Sequence, residues 1–419
     1  MSTLKISLLA LGAVAASLIV FDGRAEAMPM FARKYKMACS GCHEPAPPRL
    51  NAVGYKFRRA GFRMPENIGE EENSEFNFSD YISGRIQARQ TVSHVSDDTS
   101  GSNVSSTSDV FEMREITLYP ITGSFMKYFA SESELSLAPD QPVEIENSWV
   151  RAVYGDKDLW FEARAGIYHP FEGYGGSDRP LSQSRPLFET AAANQTQDTL
   201  VRLWGVDHVG AEVGIQWQDF SLSFSVNGRM NTEVEDGKVV AVGITPSTKN
   251  ERDILVSANQ LIGQRSGISA LYMHGSVGLP MTPKDFTSGT DMAMFDDTYD
   301  RLAGFASTGA GRFTALAGGE LGWDDTRDAT TGRKTKFKSF GAFGEVDASV
   351  TAYAAAFARY DYFDPSTSKD QNQQHGITLG GTLFKDWVYV TPEFQLRTNA
   401  GTMGDKITTT GFLHFVALY

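Results

Sequence analysis

The sequence predicts an all-β protein: a transmembrane antiparallel β-barrel of about sixteen strands, with a short N-terminal α-helical module inserted in its lumen. Three observations predict it. Apolar and polar residues alternate with period two from Phe76 to the end of the chain. The connections between these runs are by turns long and short. A compact segment of different composition, carrying the only two cysteines, precedes the first run.

The chain opens with Lys5, an apolar run from Ile6 to Phe21, and Ala25-Glu26-Ala27 in small-x-small form. That is the pattern of an export signal, too short for a membrane-spanning helix, so residues 1–27 read as a signal peptide and the mature chain begins near Met28. No later segment approaches ~18 uninterrupted apolar residues, so no helical span is expected.

Residues 28–67 form the module. Its centre is Met37-Ala38-Cys39-Ser40-Gly41-Cys42-His43. The C-x-x-C-H spacing attaches c-type haem: two thiols add to the two vinyl groups and the adjacent imidazole ligates the iron. The competing readings are a disulfide, which needs no His43, and half a zinc site, for which the six other histidines are too scattered. One covalently bound haem c on Cys39, Cys42 and His43 is therefore expected. Pro47-Pro48 leads into a helix with Leu50, Val53 and Phe57 at helical spacing and Gly61 placed to end it. So short a segment cannot bury a core of its own. Met64 is a candidate distal ligand, its thioether raising the haem potential, with Met28, Met30 and Met37 as competitors. Residues 28–63 hold eight basic residues against one acid in a chain of net charge −13, which suggests docking into an acidic body.

Residues 68–75 are a linker, and the barrel takes 76–419. Strand one places Phe76, Phe78, Ile82, Gly84, Ile86 and Ala88 on one face, with Arg85, Gln87 and Arg89 on the other. Later runs set Phe220, Leu222, Phe224 and Val226 against Ser221, Ser223, Ser225 and Asn227, and Val388, Val390, Phe394 and Leu396 against Thr391, Glu393, Gln395 and Arg397. Strands are expected to begin near 76, 111, 127, 143, 159, 207, 219, 251, 267, 297, 312, 336, 350, 373, 387 and 406. Long connections fall around 93–109, 170–206, 231–250, 280–296, 325–335 and 364–372; Gly155-Asp156-Lys157-Asp158, Gln218-Asp219, Gly309-Ala310-Gly311 and Lys385-Asp386 mark short ones. Alternation alone also fits a soluble sheet; the parity of the connections decides for a membrane barrel, with both termini and the short turns periplasmic and the long loops extracellular.

The chain ends on Leu413-His414-Phe415-Val416-Ala417-Leu418-Tyr419, an alternating run with a terminal aromatic. Trp149, Trp160, Trp217, Trp323 and Trp387 lie in or beside strands, as interfacial girdles would place them. Charge in the apolar belt is costly, so Arg85, Arg89, Glu132, Glu134, Glu144, Glu146, Glu162, Arg164, Glu393 and Arg397 are assigned to the lumen. There the glutamates receive the cationic module or line a hydrated pore. The connection 170–206 is long enough to fold inward.

A haem carries single electrons and an envelope barrel crosses an insulating layer, so together they read as a conduit between an external donor and a periplasmic carrier. Acidic clusters at Asp97 and Asp98, at Asp296, Asp297 and Asp300, and at Asp324, Asp325 and Asp328 either collect a cation such as Fe(II), or are solvated carboxylates that bind nothing specific or bridge lipopolysaccharide through divalent ions. Nucleic-acid binding has no support, since the body is acidic and the basic stretch follows an export signal. No nucleophile triad or phosphate-cradling loop is present; Gly173-x-Gly175-Gly176 lacks a strand-to-helix setting.

Phe31-Ala32-Arg33, Cys39-x-x-Cys42-His43 and Pro48-x-Leu50-Asn51-x-x-Gly54-x-x-Phe57-x-x-x-Gly61-Phe62 together resemble the fused outer-membrane monohaem cytochrome–porins of iron-oxidising bacteria. The resemblance implies thioethers on Cys39 and Cys42, His43 as proximal ligand, extracellular Fe(II) as donor and a periplasmic cytochrome or other soluble carrier as acceptor. That would be Fe(II):cytochrome c oxidoreductase-type electron transfer. Glu44-Pro45-Ala46-Pro47 departs from the family's more apolar stretch, which bears on the donor more than on the architecture. Two other readings remain: a solute porin whose module is a plug, and an outward-directed conduit to external metals.

Overall fold

The computed structural model describes residues 29–71, 77–98, 104–139, 143–174, 180–190, 208–229, 232–235, 238–241, 252–280, 294–327, 334–367, 372–385, 387–399 and 406–419. The expected signal peptide, residues 72–75 of the linker, and Asp328 lie outside these residues.

Among the described residues, two helices, α1 (Pro29–Tyr35) and α2 (Ala52–Arg59), precede the strands. The first half of the sheet comprises β1 (Ser83–Asp97), β2 (Val104–Tyr119), β3 (Gly123–Met126), β4 (Phe129–Leu137), β5 (Glu144–Gly155), β6 (Leu159–Tyr168), β7 (His208–Trp217) and β8 (Phe220–Arg229). A short helix α3 (Leu187–Thr190) lies between β6 and β7, and a separate hairpin, β9 (Thr232–Glu235) and β10 (Lys238–Ala241), follows β8. The second half comprises β11 (Arg252–Ile262), β12 (Ser266–Pro280), β13 (Met294–Ala310), β14 (Phe313–Arg327), β15 (Lys334–Thr351), β16 (Ala354–Asp364), β17 (Gln374–Lys385), β18 (Val388–Asn399) and β19 (Lys406–Leu418). Neighbours pair antiparallel all the way round, and β1 pairs with both β2 and β19, so the sheet closes. Because β3 only continues β2 beside β4, the ring is sixteen strands around.

The faces follow the alternation. On β8, Leu222, Phe224 and Val226 are exposed while Ser221, Ser223, Ser225 and Asn227 are buried. A barrel with its apolar side chains outward requires lipid around it, and this one is an outer-membrane β-barrel. The short turns at 127–128, 156–158, 218–219, 263–265, 311–312 and 352–353 share one edge with the β1–β19 seam, where Gly84 and Tyr419 exchange backbone hydrogen bonds.

Some boundaries differ from expectation. The first strand begins at Ser83, where it pairs with Tyr119 of β2, and not near Phe76. Residues Phe78–Asp80 instead form a 3-10 turn capped by Asn77, which accepts from Ser79 N. β2 starts earlier than expected, at Val104, paired with β1 to Asp97. Trp149 and Trp160 are not girdle residues: both point inward and are buried, whereas Trp217 is exposed. The ten charges assigned to the lumen all lie on inward-facing positions; a bulge between Glu134 and Leu135 turns Glu146 and Glu144 inward.

Candidate haem module and lumen

The module lies inside the short-turn mouth of the barrel and touches its wall around most of the circumference. Its local order starts at Asn51. The side chain accepts from Gly54 N (3.0 Å), capping α2, and donates to the carbonyl of Gly41 (3.1 Å), tying the helix to the turn between the cysteines. Gly54 packs directly on that turn: a Cβ there would sit 2.4 Å from the carbonyl oxygen of Cys42. Gly61, at φ +72°, ends the helix, as its position in the sequence predicts.

Cys39 begins a 3-10 turn, Cys39–Gly41, and its carbonyl accepts from Cys42 N (3.1 Å) and His43 N (2.9 Å). Both thiols and the imidazole therefore leave one tight turn. The Nδ1 of His43 lies 3.2 Å from the carbonyl of Pro48 and 3.1 Å from that of Arg49. Carbonyls only accept, so Nδ1 carries the proton and Nε2 holds the lone pair, the form an iron ligand takes. Burial pushes the Cys42 thiol up from its ordinary value. This donor set fits a haem c: two thiols, and one imidazole fixed in the metal-binding tautomer.

Met64 packs against the cluster of Phe57, Phe62, Trp149 and Tyr168, as do Phe31 and Tyr35. The side chain of Met37 is the one that lies over Gly41 between the two cysteines.

The cations of the module are spent on docking. Arg49 donates to Asp347 of β15 (2.6 Å), with both side chains almost fully buried. Arg59 pairs with Glu162 of β6 and donates to Ser223 of β8 (2.9 Å). Lys56 meets Asp219 in the β7–β8 turn (2.7 Å). Arg63 reaches the carbonyls of Met126, Lys127 and Phe129, closing over the β3–β4 turn. From the wall, Arg151 donates to the carbonyls of Arg58 (2.9 Å) and Arg59 (3.3 Å). Phe62 stacks on Trp149 with ring centroids 5.7 Å apart. Of the glutamates assigned to the lumen, Glu162 receives the module directly, while Glu134 accepts from Arg85, Tyr119 and Asn147 of the wall.

Above the module the β6–β7 connection folds inward, as its length allows. Phe171 and Phe188 are buried among Leu255, Leu271, Phe305 and Phe343. Tyr174 N donates to Asn259 (3.0 Å), Leu181 N to Glu345 (2.9 Å) and Gln183 N to Glu393 (2.8 Å), so the segment reaches across the lumen. Glu172 lies among Arg58, Arg151 and Arg164. Burial alone would push its carboxyl up, but the guanidinium groups of Arg164, Arg58 and Arg151 outweigh this and hold it well below the usual carboxylate range.

Among the described residues, the carboxylates of these acidic clusters do not converge. Asp324 points inward and pairs with Arg301 (2.7 Å), while its neighbour Asp325 points outward to Lys336 (3.4 Å). Consecutive strand residues face opposite sides, so such pairs cannot share an ion. Asp300 is held by Tyr272 and His274, and Asp97 by Lys406. The side chains of Asp296 and Asp297 lie outside the described residues.

Sequence reasoning missed Arg151, Asp347, Glu345 and Glu172. The first three stand at inward parity beside Trp149 and Val153 or within Gly344-Glu345-Val346-Asp347, so the period-two count could have found them. Glu172 gives no such signal.

No protein-family model and no curated protein matches the chain. Among solved structures, the chain is similar to the outer membrane channel DcaP of Acinetobacter baumannii, with TM-score 0.51 at 9% identity over 81% of this chain and 96% of that one. It is also similar to a loop L8 deletion mutant of OmpT, an outer membrane protein of Vibrio cholerae (TM-score 0.50, 10% identity, 81% and 99% coverage). A third is the anion-selective porin from Comamonas acidovorans (TM-score 0.50, 14% identity, 81% and 98% coverage). At these identities the likeness is one of fold, and the fold is that of a porin-type barrel.

Proposed function

We propose that this barrel carries one haem c on Cys39 and Cys42, with His43 as proximal ligand, and serves as an electron conduit across the outer membrane. The observation that carries the reading is the Cys39–His43 turn, seated inside the lumen with the His43 tautomer set for metal ligation. A haem bound there would supply one-electron chemistry. The residues around it hold the turn rigid through Asn51 and Gly54 and fix the module to the wall through Arg49, Arg59 and Arg63. Extracellular Fe(II) as donor and a periplasmic cytochrome as acceptor rest on the resemblance to the fused cytochrome–porins. Met64 as distal ligand is part of the same proposal, although its packing among aromatic rings lends it no support.

A solute porin with the module as a plug is the second reading, and the similarity to porin-type barrels speaks for it directly. The module and the inward segment each bond to walls on opposite sides of the lumen, as a fixed plug would.

The two readings separate in proteoliposomes loaded with a soluble electron acceptor. The conduit requires a covalent haem in the purified protein, reduction of that haem by external Fe(II), and then of the acceptor, all lost in His43→Ala. Solute flux without coupled reduction would leave the porin reading. Reduction of an external acceptor by an internal donor alone would reverse the direction.

A further inference from the structure

We propose that the outer wall of β12–β15, at the edge away from the short turns, binds the phosphate headgroup of an anionic lipid in the adjoining leaflet. The register stacks this wall in level rows. Tyr272, Leu302, Leu321 and Phe340 are partners across β12, β13, β14 and β15, and all four are exposed, so they end the apolar belt. Two residues further along each strand, about 7 Å higher, the row reads His274, Asp300, Trp323 and Lys338. One row above that, Asp325 is opposite Lys336.

The apolar-to-charged border is thus crossed in a single step, and a lipid's phosphates lie at such a border. In the first charged row the charges are unequally matched. Asp300 is taken by Tyr272 (2.6 Å) and His274 (2.9 Å), both from the neighbouring strand. Lys338 is exposed and, among the described residues, has no carboxylate at ion-pair distance. Lys336 has only the 3.4 Å contact to Asp325, with its side chain 82% exposed. An indole at interface depth, Trp323, stands beside Lys338. Two cations above an apolar, aromatic row fit an acyl chain lying on the wall with its phosphate between the ammonium groups. This requires only that the barrel lie in lipid and is independent of the haem reading.

The test uses the full-length protein in phosphatidylcholine nanodiscs doped with phosphatidic acid, with retained lipid counted by native mass spectrometry. Phosphatidic acid should be retained over phosphatidylcholine. Retention should fall about fivefold per lysine removed in K336Q/K338Q. It should survive K336R/K338R and Lys157→Gln on the opposite edge. Heat-modifiable gel migration verifies that each variant is folded. Undiminished retention in K336Q/K338Q, or equal retention of phosphatidylcholine, would overturn the site. Inorganic phosphate competing as tightly as the lipid would also overturn it, reducing it to a simple anion contact.

Discussion

Arg49 and Asp347, 298 residues apart in sequence, meet at 2.6 Å with both side chains shielded from water. It joins the module to the barrel, as does the buried pair of Arg59 with Glu162. Removing one partner leaves a buried charge uncompensated, at about 3–5 kcal/mol. Arg49→Leu should therefore loosen the module without opening the ring. Limited proteolysis should cut within residues 28–67 while heat-modifiable migration persists. The double variant Arg49→Leu/Asp347→Leu should recover much of the protection. If Arg49→Leu is as resistant as the parent, the pair does not hold the module.

Gly54→Ala tests the contact between α2 and the cysteine turn. The added methyl meets the Cys42 carbonyl at 2.4 Å, and backbone cannot move aside as a side chain could. The variant should lose c-type haem incorporation, read from the absorbance of the pyridine adduct. Ala52→Gly on the same helix should lose less, because it removes a methyl instead of inserting one. Equal incorporation by Gly54→Ala would sink the argument.

The Glu172 carboxyl is held below its ordinary value by three arginines, so its contribution to folding is present above the unfolded-state pKa and is lost only as pH falls through the depressed one. The contacts of Glu172 with Arg58, Arg151 and Arg164 should therefore persist at pH 4, where ordinary carboxylates are protonating. Glu172→Gln should raise single-channel conductance relative to the parent at pH 7 and at pH 4 alike. A difference between Glu172→Gln and the parent that vanishes by pH 4 would contradict the assignment.

Burial raises the Cys42 thiol, so in haem-free protein its alkylation by iodoacetamide should keep climbing beyond the range where an exposed thiol has levelled off. The check is a pH–rate profile read by mass spectrometry on the peptide containing Cys42. A plateau at or below that of a free cysteine would refute it.

The strand starts are legible in the sequence because lipid on one side and polar lumen on the other impose a strict period of two, as Leu222 to Asn227 illustrate. Phe78 to Ile82 carry the same period, yet Phe78–Asp80 close a 3-10 turn under the Asn77 cap and the ladder starts only at Ser83. Trp149 reads as a girdle residue because an indole suits the interface and a lumenal stack equally; only the arrival of Phe62 decides. The cysteine turn is legible from spacing alone. The carbonyl pair that fixes His43 is not, because Pro48 and Arg49 reach it through a bridge between His43 and Leu50 that no periodicity announces.

The hydrogen bonds between Gly84 and Tyr419 shut the cylinder with its first and last staves. Arg49, Arg59 and Arg63 lean on staves from β3 to β15, so the cationic segment gathers these supports only when that arc has assembled. An assembly intermediate that stops short of β15 would show raw edges and a positively charged head without its Arg49 anchor at once. Quality-control proteases would meet both in the same molecule, so half-built copies should be cleared before they accumulate.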